Sequence, residues 1–410
     1  MLAYIVLVAV GLQTVRLYKP KYWSTGAPII APKNAAFSPS AATPYITPSA
    51  PCASHYPCSD AHSPEETGDE SAPRWIDFRH LELRIYIFQD FQAVRMGSLV
   101  ILAGIDEAGY GPRLGPLVVA ANAVAVPGRI DPRRPWPQWH LVDAGALRVA
   151  DSKGIYSSSR GIASLERAVL SFAQLTSHEA RDLEGFLRLW VMEGAGEALG
   201  LPWYSGRLEL PCGCAVSEIH QASGSLRRCL LQEGVQYLGA WMCVVDEIRY
   251  NGILERLENK ATLLFGRAAL LMQELWRRFG DEGICLTVDR QGGRKFYGGL
   301  LDIAFPHAHM DVLLESDESS IYRLRQHQRE MLVRFKVRAD TEDTTVALSS
   351  MWAKYTRELF MELFNGYWLE RAGGVARTAG YWEDGERFLA QLVASRAMTE
   401  REAARIRRIR

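Results

Sequence analysis

Four carboxylates stand out because of where they fall. A nearly unbroken apolar run over residues 98–105 stops on Asp106 and Glu107, a second run over residues 283–288 stops on Asp289, and a shorter one from Phe335 stops on Asp340. One acidic residue closing a strand is an ordinary solvated turn. Several closing buried strands are different, because a carboxylate drawn out of water is costly without a compensating partner. If the strands are neighbours in one sheet, the four groups converge, and their repulsion raises their pKa values unless divalent cations neutralise them. An all-oxygen donor set suits a hard ion such as Mg²⁺ or Mn²⁺. A pair of such ions can activate water and stabilise the departing oxygen in phosphodiester hydrolysis.

The positioning elements can be read around these residues. The Val/Ile/Leu-rich run before Asp106 predicts a buried strand, and residues 117–126 predict a second that returns beside it. The turn between them holds Gly109-Tyr110-Gly111, where two glycines bare a backbone for close approach. A strand is expected over residues 241–248 leading to Asn251 and Gly252, then one or two helices over residues 254–279, then the strand ending at Asp289. The stretch from Phe335 to Asp340 reads as a strand with a terminal carboxylate. A helix over residues 346–364 follows, with Asp343 or Thr344 able to cap it, and another spans residues 386–397. Residues 323–334 carry many cations and read as a solvated or backbone-contacting face.

Across the chain, 47 basic residues balance 47 acidic ones, which excludes a bulk electrostatic nucleic-acid binder but leaves room for a local basic groove. Seven cysteines without a dense pattern suit a reducing, cytoplasmic setting. Residues 1–13 are apolar but too short to span a bilayer and lack a leading cation, so neither a membrane anchor nor a secretion signal is expected. The next stretch, to about residue 74, is rich in Pro, Ser, Ala and Thr and reads as disordered. Residues 1–95 are therefore expected to be a disordered extension, or to precede a native start at Met96. Residues 182–235 read as an insertion. Within and after its Cys-Gly-Cys, Cys212, Cys214, His220 and Cys229 could offer ligands to zinc, but their spacing matches no standard pattern, and ordinary buried thiols are the simpler reading. His307 and His309 fit strand alternation. The arginine-rich residues 398–410 read as a solvated or nucleic-acid-facing tail.

With these pieces assembled, the chain resembles ribonuclease HII, the type 2 ribonuclease H family. The resemblance rests on Gly104-Ile-Asp-Glu-Ala-Gly-Tyr-Gly-Pro112 with Leu114-Gly-Pro116, on Asp151-Ser-Lys153, and on Glu247-Ile248 with Asn251 and Ala261-Thr262. It continues through Val288-Asp289, Ala339-Asp340, Ser349-Ser-Met-Trp-Ala-Lys-Tyr-Thr-Arg357 and Gly380-Tyr381. It implies an α/β ribonuclease H-like fold, a mixed central β-sheet flanked by helices, over residues 96–397. It also implies a two-metal site for Mg²⁺ or Mn²⁺ held by Asp106, Glu107, Asp289 and Asp340. The implied activity is endonucleolytic: hydrolysis of the RNA strand of RNA/DNA hybrids and nicking 5′ of ribonucleotides embedded in duplex DNA. The 2′-hydroxyl would be sensed by the backbone of Gly109, Tyr110 and Gly111 and by stacking of Tyr381, with Lys153 on phosphate. Tyr110 stands where the family carries arginine, and Thr378-Ala-Gly380 where it commonly carries His-Lys-Gly, so two cations are missing. Arg294 and Lys295 lie after Asp289, where the sequence departs from the family's pattern and could restore charge. Two other readings keep the fold: cleavage of another structured nucleic acid, and a nucleic-acid-binding subunit without activity.

Overall fold

In the computed structural model, the described residues are 99–128, 130, 139, 140, 149, 161–257 and 259–409. The expected extension over residues 1–95 and the segment containing Asp151 and Lys153 lie outside them. An eight-stranded mixed sheet forms the centre. Its strands are β1 (Leu99–Ala108), β2 (Leu117–Pro127), β3 (Val191–Glu193), β4 (Gln236–Val245), β5 (Ile284–Asp289), β6 (His309–Glu315), β7 (Ser319–Gln326) and β8 (Arg329–Lys336), in the spatial order β3-β4-β2-β1-β5-β8-β7-β6. β1 runs antiparallel to β2 and parallel to β5, and β5 runs parallel to β8.

Both faces of this sheet are covered, which is why β1 reads as a continuous apolar run rather than an alternating one. Val100 and Leu102 face one core, together with helices α1 (Ala163–Leu175), α2 (Leu183–Trp190), α4 (Val216–Glu233) and the long α8 (Thr344–Arg371). Ile101, Ala103 and Ile105 face the other, which is closed by α5 (Glu247–Leu257), α6 (Lys260–Phe279) and α7 (Gly298–Ala304). The remaining helices are α3 (Ala195–Leu199), α9 (Trp382–Ala394) and α10 (Glu400–Ile406). No helix among the described residues is long and apolar enough to cross a membrane. The mixed central sheet flanked by helices is the architecture that the sequence implied.

Local chemistry explains where boundaries differ from expectation. The strand expected to run through Ile248 stops at Val245, because the Asp246 carboxylate accepts the N–H groups of Ile248 and Arg249 and opens α5. Asn259 similarly splits the helical stretch by capping α6 through the N–H groups of Ala261 and Thr262. The strand expected to reach Asp340 ends at Lys336. Arg338 takes a left-handed φ of 53°, and Asp340 falls in a 3₁₀ turn, Ala339–Thr341. The arginines of β7 and β8 are largely paired, Arg323 with Glu330, Arg325 with Asp311 and Arg334 with Asp343.

Residues 182–235 are integral to one core rather than appended to it. Glu166 of α1 is fully buried and accepts the N–H groups of Cys212, Gly213 and Cys214 at 2.9, 2.6 and 3.0 Å and the Tyr355 hydroxyl of α8 at 2.9 Å. The four zinc candidates do not converge. The Cys212 thiol donates to Glu166, the Cys229 thiol to Glu233, and His220 lies exposed beside Glu179. Burial, reinforced by Glu166, pushes the Cys212 and Cys214 thiols up to about 12. Removing one acceptor from several buried donors costs their full desolvation, so Glu166→Ala is expected to destabilise the fold by about 3 kcal/mol or more. A chemical-denaturation midpoint unchanged from that of the parent would refute this role.

Candidate active site

Strand order brings the carboxylates together. β1 and β5 lie side by side and parallel, with Ile105 opposite Val288, so Asp106 and Asp289 emerge at the same end of adjacent strands. The Asp289 carboxylate then accepts the Ala339 N–H at 2.7 Å, which ties the 3₁₀ turn bearing Asp340 to the end of β5. Asp106 and Asp340 are buried, whereas Glu107 and Asp289 are half-buried. Burial, with the negative charges of Glu107 and Asp289 adding to it, raises the Asp106 carboxyl well above the usual carboxylate range. The Glu107 N–H, at 2.8 Å, and Ser350 act in the opposite direction.

Asp340 lies in the 3₁₀ turn, whereas Asp343 stands at the start of α8. Asp343 caps α8 by accepting the N–H groups of Thr345 and Val346, and it pairs with Arg334 at 3.4 Å, so its oxygens are committed elsewhere. The first turns of α8 also lie tightly over β1. Gly104 has no room for a side chain there, since a Cβ would meet main-chain atoms of Thr345 and Val346 at 2.3 Å. The Ser349 hydroxyl donates to the Gly104 carbonyl at 2.9 Å.

Beside the carboxylates, the turn after β1 is held from several directions. Gly109, at φ 90°, has main chain and Arg357 where a side chain would be, whereas Gly111 faces open space. Buried Glu247 accepts the Gly115 N–H at 2.8 Å and the Tyr204 hydroxyl at 2.7 Å, so the inserted segment supports this turn too. Burial, before any other influence, raises the Glu247 carboxyl. Arg357 of α8 donates to the carbonyls of Leu114 and Ala379, at 3.1 and 3.0 Å. The Gly380 carbonyl accepts from the N–H groups of Arg113 and Leu114, which brings Tyr381 beside the turn. Tyr381 is 52 % exposed, with the Arg357 guanidinium 5.8 Å from its ring centre.

Tyr110 is half-buried, with the Lys260 ammonium 5.8 Å from its ring centre. Burial, then Tyr250 and Glu107, raise its hydroxyl pKa, and Arg294 lowers it. Lys295 is paired with Asp317 instead.

Thus Asp106, Glu107 and Asp289 interact and the turn bearing Asp340 is tethered to Asp289 through Ala339, while Gly109, Tyr110, Gly111 and Tyr381 line the neighbouring turn; Lys153 lies outside the described residues. Among the described residues, no three His, Cys, Asp or Glu side chains form a ready-made metal cage. The donor set nevertheless fits a hard divalent cation in kind: it is all oxygen, and burial, with the charges of Glu107 and Asp289 adding to it, raises the Asp106 carboxyl in a way a bound cation would offset. Sequence reasoning missed the clamp formed by Glu247 and Arg357, and by Arg408, which donates to the carbonyls of Gly109 and Gly115. An arginine amid the apolar residues of α8 was a readable signal for Arg357, but Arg408 looks like any other cation of its arginine-rich segment.

No family model matches the chain, and no curated protein does. Among solved structures, RNase HII from Archaeoglobus fulgidus, determined in complex with PCNA, is similar at 15% identity and a TM-score of 0.35, over 76% of this chain and 94% of that one. The ribonuclease H2 from Pyrococcus horikoshii OT3 is similar at 14% identity and a TM-score of 0.31, over 75% and 96%. A Bst-RNase HIII in complex with Mn²⁺ is similar at 14% identity and a TM-score of 0.33, over 77% and 66%.

Proposed function

We propose that the protein is a metal-dependent endonuclease of the ribonuclease H type that cuts the RNA strand of RNA/DNA hybrids and nicks duplex DNA on the 5′ side of an embedded ribonucleotide. The observation that carries this reading is the meeting of three chain segments at one end of the sheet: Asp106 with Glu107 from β1, Asp289 from β5, and the Asp340 turn hydrogen-bonded to Asp289. Asp106, Glu107, Asp289 and Asp340 would hold two Mg²⁺ or Mn²⁺ ions, which supply a water of lowered pKa and neutralise charge on the leaving oxygen. The protein's own part is placement. Burial of Asp106 keeps competing water from its carboxyl, and the bare main chain at Gly111 admits a close approach by the sugar. Tyr381 offers an exposed ring face on which a nucleotide can stack. Lys153 would contact phosphate.

One observation favours a second reading. Tyr110 replaces a family arginine and is half-buried under the influence of Arg294, which suits the same chemistry on a differently shaped nucleic acid. Purified protein with Mg²⁺ or Mn²⁺ should be offered a duplex with one ribonucleotide, an all-DNA duplex and an RNA/DNA hybrid. Nicks 5′ of the ribonucleotide, leaving 3′-hydroxyl and 5′-phosphate ends, together with cutting of the hybrid's RNA strand, are expected. Equal cutting of the all-DNA duplex would overturn recognition of the 2′-hydroxyl.

A further inference from the structure

Arg408 comes from the segment that the sequence marks as a solvated or nucleic-acid-facing tail, yet only 1 % of it is exposed. Its guanidinium lies over the Tyr250 ring, 3.8 Å from the centre. It donates to the Gly109 carbonyl at 2.5 Å, to that of Gly115 at 3.3 Å and, more distantly, to that of Tyr110 at 3.5 Å. Its main chain is stitched to the same turn, with the Arg408 N–H donating to the Arg113 carbonyl at 2.9 Å and Arg113 Nη1 donating to the Arg408 carbonyl at 2.8 Å. Asn251 of α5 holds the segment in place from the other side. Its amide donates to the carbonyls of Arg405 and Arg407, both at 3.0 Å, and its oxygen accepts the Ile409 N–H at 2.9 Å.

A buried cation is costly, and this one is spent on main-chain carbonyls at both ends of a single turn. We propose that Arg408 is the positioning residue of the substrate-reading turn, and that residues 400–409 are a strut on which discrimination between ribose and deoxyribose depends. The inference rests on the function proposed above for its consequence, but not for its geometry. A planar guanidinium can lie flat on Tyr250 while forking to two carbonyls; an ammonium cannot do both. Displacing the turn by about an ångström would cost about 100-fold in a reaction that depends on its placement.

The test compares Arg408→Ala, Arg408→Lys and Asn251→Ala with the parent protein. Asn251→Ala loosens the strut without touching the turn, and it serves if Arg408→Ala fails to fold. Two readouts are followed: amide hydrogen exchange over residues 105–116 without metal, and the kcat/KM ratio between a one-ribonucleotide duplex and an all-DNA duplex. Expected are exchange at least about ten times faster in that peptide and a preference for ribose reduced by about 100-fold in Arg408→Ala, no rescue by lysine, and the same pattern in weaker form for Asn251→Ala. Unchanged exchange in residues 105–116 would overturn the strut, as would full rescue by lysine or a fall in thermal stability with the ribose preference intact. If the parent protein shows no ribose preference, the proposed function and the discrimination role both fail, while the exchange result still decides whether Arg408 fixes the turn.

Discussion

Asp106→Asn is expected to lower ribonucleotide-directed nicking by about a thousandfold or more, the scale of losing a group that acts in the transition state, while making the metal-free protein more stable. The two effects share a cause. Burial, with Glu107 and Asp289 nearby, raises the Asp106 carboxyl above its unfolded value. The stability contributed by its proton is complete below the ordinary carboxylate range and is lost as pH rises through the raised value. Asparagine keeps the oxygen that accepts the Glu107 N–H and carries no charge at any pH. The gain should be about 1–2 kcal/mol at pH 8, in the range of other relieved active-site conflicts, and should vanish towards pH 4. Thermal melts with chelator at both pH values, beside a nicking assay, check this. An Asn variant less stable at pH 8, or one still active, would refute the assignment.

The other large effect is expected at a residue with no functional group. Gly104→Ala should cost about 3 kcal/mol or more, beyond the usual 1–3 kcal/mol of overpacking, because the added carbon collides with main chain and not with a side chain that could rotate away. What must yield is the seam between β1 and the start of α8. That seam adjoins both Asp106, at the end of β1, and the Asp340 turn, just before α8, so surviving folded protein should also have lost activity. Gly266→Ala is the matched control, since that glycine lies in α6 with nothing within 4 Å of the added carbon. There the change should stabilise by up to about 1 kcal/mol through helix propensity alone. Denaturation midpoints measured side by side would expose any failure of the contrast.

The strands carrying Asp106 and Asp289 were legible because a two-sided sheet demands long apolar runs, and a carboxylate ending one is conspicuous. The Asp343 cap was legible for a related reason: capping is local chemistry. Asp340 was expected at a strand end and lies instead in a 3₁₀ turn, because nothing in the composition of residues 335–340 signals the left-handed turn at Arg338. The partners of Glu247, Arg357 and Arg408 were illegible on other grounds, even where, as at Arg357, an arginine on an apolar helix face signalled that it had one. Each acts on a turn far away in the chain, and hydrophobic periodicity records which face an element buries but not which distant carbonyl a buried cation meets. For the same reason the sequence marks residues 182–235 as an insertion without showing that they supply Tyr204 to Glu247 and a Cys-Gly-Cys turn to Glu166.

The clamp around the turn after β1 also has a direction in time. Its holders lie 132 residues downstream at Glu247, 243 at Arg357 and 299 at Arg408. A ribosome adding roughly 5–20 residues per second reaches Arg408 about 15–60 s after the turn has been made. Through that interval β1 and β2 can pair, but the turn they flank lacks its last support. On the role proposed for Arg408, a nascent chain would bring Asp106, Asp289 and Asp340 out of the ribosome before the turn that reads the sugar gains this support.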